Sequence, residues 1–213
     1  MPFFRGWMNT HKKELHSFAS FRVPNKTEVS LFPRLLWIWA IQLVAACFGF
    51  NAKPPVLWWS VCILPTVTTA VLVADYFRER DCEIDGFFRY SSTFFFLLGF
   101  SMIELTVFIA IRQTVQNALI FSLAALLITF ASLLYYIFRQ IKRAHFSEKN
   151  KQVPGAAPYI AAALGYGTYR FLKNATSEKS ESFFMIIVAG VLAGTVFGLA
   201  AVCWLKSVGA KQK

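Results

Sequence analysis

The chain has 213 residues, of which 56% are apolar and 15% charged, against about 25% charged in ordinary soluble domains. The charge is missing from several long blocks, which excludes a soluble globular domain and points to an all-α, polytopic integral membrane bundle, since a lone segment in lipid must satisfy its own backbone hydrogen bonds. The net charge of +11, from 22 basic and 11 acidic residues, sits beside the apolar blocks; the positive-inside rule and attraction to anionic lipid account for it, and nucleic acid is set aside as a partner.

Residues 1–30 read as a cytoplasmic tail and linker. Within them Phe4, Trp7, Met8, Leu15 and Phe18 recur at helical spacing, with Lys12 and Lys13 on the flanks. A basic helix with such a face is expected to lie in the headgroup layer as a membrane-interface anchor. Pro24 ends that pattern.

Residues 31–138 are expected to form a core of four transmembrane helices. The first span covers about 35–50 and the second about 56–76, with Pro65 placed to kink it. A charged cytoplasmic loop, 77–90, precedes a third span at 93–111, and the fourth runs over 117–138. A basic cytoplasmic linker, 139–153, follows. Residues 154–205 combine a small-residue apolar segment at 154–172 with a last span at 183–205, and 206–213 form a basic tail. The total is five or six spans. The Lys and Arg balance puts the N-terminus in the cytoplasm under either count and does not choose between them. A bacterial inner membrane and a eukaryotic endomembrane fit equally well.

Three features bear on function. Glu104 is the one acidic residue in the middle of a span, and a carboxylate there must face the bundle interior or water. Gln42 and Ser101 are candidate polar neighbours for it. It is either an ion or proton site or a protonated hydrogen-bonding group between helices. In the last span Gly190, Gly194 and Gly198 are spaced four apart, so they share one helix face and form a groove for close approach of another helix, in this chain or another. The four cysteines include no CxxC pair and read as small apolar residues.

The run Asp81-x-x-x-Asp85-Gly86-x-x-Arg89 resembles part of the motif of the CDP-alcohol phosphatidyltransferases. That resemblance implies a metal-dependent membrane lipid enzyme. The spacing departs from the motif, however, and Val107 and Phe108 stand about where its last aspartate is due, so a two-metal site cannot be assembled. No catalytic set, metal site or cofactor motif is expected. The leading expectation is a non-catalytic membrane subunit acting through helix–helix assembly, as a homo-oligomer or in a larger complex. The alternative is a small channel or transporter using Glu104.

Overall fold

A computed structural model of the chain describes residues 10–20, 29–49, 56–80, 84–112, 117–142 and 178–210. These residues form six helices and, among themselves, no strand. In chain order they are α1 (Lys12–Ser20), α2 (Phe32–Gly49), α3 (Val56–Glu79), α4 (Ile84–Arg112), α5 (Ala118–Lys142) and α6 (Glu178–Ala210). Four of them, the last four, contain stretches long and apolar enough to cross a membrane, and α2 is a shorter apolar helix.

Local chemistry explains where the helices run. Pro33 occupies the first turn of α2, where a missing backbone N–H costs nothing. Pro65 lies inside α3 without ending it. The hydroxyls of that stretch take up nearby carbonyls: Thr66 donates to Cys62 O, and Thr68 donates to Leu64 O and Pro65 O. The expected loop at 77–90 is mostly helix. α3 continues to Glu79 and α4 already begins at Ile84, nine residues before the expected third span. Asp85 suits the positive end of the α4 dipole and pairs with Arg89 one turn on, at 2.8 Å. At the other polarity, Arg139 and Lys142 close the last turn of α5.

The packing fixes the direction of each helix. α4 and α6 run antiparallel: Ser92 Oγ donates to Ala200 O at 2.8 Å, Phe96 and Phe100 pack edge-on against Phe197, and Ala110 clusters with Ile186. α5 and α6 run parallel. Gly190 lies against Ser122, Gly194 against Leu126 and Thr129, and Gly198 against Leu133, while Ile141 clusters with Leu205. α2 runs parallel to α4, with Arg34 beside Ser91 and Gln42 beside Ser101. The start of α2, the α3–α4 connection, the end of α5 and the end of α6 therefore share one end of the bundle, which also carries α1.

Leu15 and Phe18 are buried against Ile141 and Leu205 of the same chain, so their face is covered by protein. The cause is the small surface of α6 at Gly209, where even a Cβ would meet the Leu15 carbonyl, and where His16 Nδ1 donates to Gly209 O at 3.4 Å. Lys12 and Lys13 point outward. Phe4, Trp7 and Met8 lie outside the described residues, as does the segment 154–172.

Candidate functional site: a polar seam between three helices

α2, α3 and α4 meet along one seam. On α3 the buried residues Thr68, Leu72, Asp75 and Glu79 recur at three- and four-residue spacing, so they form one face. Leu35, Ile38, Gln42 and Ala45 do the same on α2, and Tyr90, Ser91, Phe94, Leu97 and Ser101 on α4. The seam is layered.

The outermost layer, at the α1 end, is ionic. The Glu79 carboxylate, 0% exposed, accepts from Arg78 at 2.9 Å on its own helix and from Arg89 at 3.0 Å across to α4. Arg78 also pairs with Asp75, and Arg89 with Asp85. Next comes Arg34, whose guanidinium lies 4.4 Å from the centre of the Tyr90 ring and donates to Ser91 Oγ at 3.1 Å. Stacking of this kind lets a cation sit among apolar groups.

A dry layer follows, built from Leu35, Ile38, Leu72, Phe94 and Leu97. Below it the Gln42 side-chain amide spends both of its N–H donors, on Thr68 Oγ1 at 3.0 Å and Ser101 Oγ at 3.2 Å. Each hydroxyl in turn donates to a backbone carbonyl of its own helix, Ser101 to Leu97 O. Glu104 lies three residues beyond Ser101 on α4, which puts the two on neighbouring positions of one helix surface.

Several buried polar atoms in the seam have no hydrogen-bond partner among the described residues. They are Gln42 Oε1, Glu104 Oε2, Tyr90 OH, Arg34 Nη1, Asp75 Oδ2, Glu79 Oε2 and Arg89 Nε. Most buried polar atoms in folded proteins are satisfied, so these are the atoms of this interface left open to a further hydrogen-bonding group. No protein-family model, curated protein or solved structure matches this chain.

Of the residues singled out in the sequence, the structure brings Gln42 and Ser101 into direct contact and sets Glu104 nearby without a bond to either. The glycine groove is filled from within, by α5. Asp75, Glu79 and Arg34 were not singled out. The signal for the first two was present: Thr68, Leu72, Asp75 and Glu79 already share one face by spacing. Among the described residues no three His, Cys, Asp or Glu side chains come together as metal ligands, and Asp85 is engaged with Arg89. Asp81 lies outside the described residues.

Proposed function

We propose that the chain is a small channel or transporter for protons or small cations, with the α2–α3–α4 seam as the path and Glu104 as its ionisable group. One observation carries this reading. Buried polar atoms without partners recur from Glu79, Asp75 and Arg89, past Arg34 and Tyr90, to Gln42 and Glu104. A carboxyl deep in a span can take up and release a proton, and hydroxyl and amide groups can relay one or line the way for a cation. The dry layer between the ionic and amide layers would act as the barrier that has to be wetted for passage.

The test is ion flux in vesicles holding the purified chain. The parent protein is expected to collapse an imposed proton or potassium gradient. Glu104→Gln is expected to abolish that flux while melting like the parent, because an amide replaces a protonated acid as a hydrogen-bonding group. A parent chain that leaves both gradients intact, or a Gln variant with full flux, overturns the reading.

We also infer six crossings, with both chain termini on the cytoplasmic side. The parallel course of α5 and α6 supports this. The chain leaves α5 at the α1 end and enters α6 at the far end, so one further crossing lies between them if both helices span. Arg78, Arg139, Lys142 and Lys206 gather at the α1 end, while Arg112 and Lys179 belong to the far end. Single cysteines placed at Lys142 and Lys179, in a chain cleared of its own cysteines, are expected to react with an impermeant thiol reagent from opposite faces. Labelling of both from one face would restore the five-span count.

A second reading is the non-catalytic subunit acting through helix–helix assembly. The glycine groove no longer supports it, but the outer face of α5 does: Ile120, Leu123, Leu127 and Ile128 are exposed and apolar, and another helix could cover them as well as lipid. A stable oligomer in mild detergent, dispersed by Leu123→Arg, would favour this reading.

A further inference from the structure

α3 stands at the edge of the polar seam. Among the described residues it packs on α2 and on α4 much less than those two pack on each other. Ile63, Val67 and Phe77 on its outer face are exposed, so no described helix backs it. Pro65 interrupts its hydrogen-bond ladder, because a proline has no N–H to give the preceding turn, and a helix bends most readily there. We propose that α3 gates the seam: residues 66–79 swing about Pro65, and the ion pair of Glu79 with Arg89 latches them shut. The proposal rests on the reading of the seam as a path.

The contacts of α3 divide by their distance from the pivot. Close to Pro65, Thr68 Oγ1 accepts from Gln42 at 3.0 Å and Thr69 Oγ1 from Trp39 at 2.9 Å, where a change of bend moves them least. From Pro65 to Glu79 is about 21 Å along the helix at ~1.5 Å per residue, so a ~10° change in the bend carries the Glu79 carboxylate about 4 Å. That is enough to part it from Arg89, which it meets at 3.0 Å. Between these points Leu72 closes the dry layer with Leu35, Ile38 and Phe94, and the Tyr76 ring meets Tyr90 edge-on at 6.1 Å. Apolar contact is non-directional and yields gradually, whereas a charge-assisted hydrogen bond is geometrically specific, so the ion pair sets the closed position. The swing draws Leu72 out of the dry layer and joins the unpartnered oxygens of Asp75 and Gln42 along one wetted path.

The experiment uses the full chain, cleared of its own cysteines, in lipid nanodiscs that leave both faces open to a water-soluble methanethiosulfonate. Leu72→Cys, at a position 0% exposed, is expected to react slowly. Adding Glu79→Leu is expected to speed that reaction about tenfold or more, since a hydrogen bond between charged groups is worth at least that factor. This change leaves Arg89 with Asp85 and Arg78 with Asp75, so neither cation loses every partner. Ile186→Cys, buried where α6 meets Ala110 and Ala118, is expected to stay slow with or without Glu79→Leu. Pro65→Ala, in a chain that keeps Glu79, is expected to slow the reaction of Leu72→Cys several-fold by stiffening the pivot. An unchanged rate at Leu72→Cys on adding Glu79→Leu overturns the latch, and an unchanged rate on adding Pro65→Ala overturns the pivot. Equal acceleration at both cysteines reports unfolding by Glu79→Leu, and the Pro65→Ala result then decides. Flux tests the path and labelling tests the swing, so a chain without flux sinks the path while the labelling still reports on α3.

Discussion

Gly194→Leu is expected to destabilise the monomer by roughly 1–3 kcal/mol, the usual cost of forcing extra atoms into a packed interface. A Cβ at this position would already stand 2.6 Å from the Leu126 carbonyl oxygen and 3.1 Å from its Cα, and backbone cannot turn aside as a side chain can. α5 and α6 must separate, and the contacts that hold them fade over the length of the interface. Such contacts matter more here than in water, because lipid offers no hydrophobic drive between helices and close packing has to supply the attraction. Gly190→Leu meets the Ser122 carbonyl and is expected to behave in the same way. Gly198→Ala is expected to be milder, since it meets the movable end of the Leu133 side chain at 2.6 Å. Thermal melting in detergent checks the order. A Gly194→Leu chain that melts with the parent would mean that α5 does not sit in the groove.

Arg89→Leu is expected to have an effect of similar size by a different route. Arg89 is the side chain that ties Glu79 on α3 to α4, and it also holds Asp85. Removing one partner of a fully buried pair costs about 3–5 kcal/mol, mostly because a charge is left without compensation. Arg89 is 29% exposed, so water reaches it and the expected loss falls at or below the lower end of that range. Arg78→Leu tests the argument from the other side. It touches the same Glu79 carboxylate, but its side chain is 68% exposed, and a pair of that kind is worth under about 1 kcal/mol. Equal losses for the two variants, measured by thermal or denaturant unfolding, would show that burial does not set the strength of this layer.

Much of the architecture is legible in the apolar blocks, because the length needed to cross lipid and the need to close backbone hydrogen bonds leave few alternatives. The start of α4 is not legible that way. Asp85 and Arg89 look like loop residues to a hydropathy count, yet at a spacing of four they pair along a helix and extend it outward. The glycine spacing identifies a face for close approach but carries no information on what approaches, and the partner, α5, lies beyond a long intervening stretch of chain. Gln42 and Ser101 could be named as polar residues in spans, while their meeting depends on α2 and α4 running parallel, which no local pattern encodes. Glu79 shows the same limit. Its place on the Thr68–Leu72–Asp75 face is readable, but that this face is the buried one follows only once α2 and α4 close over it.

The docking of α1 has a consequence for how the molecule is made. His16 reaches across 193 positions of sequence to Gly209. α1 is made before every other described helix, and the surface that receives it belongs to the last of them. At about 5–20 residues per second, the helix waits on the order of 10–40 seconds for its seat. During that interval the side that carries Leu15 and Phe18 lacks its cover from Ile141 and Leu205. Docking of α1 therefore waits until α6 has been made, and the contacts of Leu15 with Ile141 and Leu205 are among the last to form.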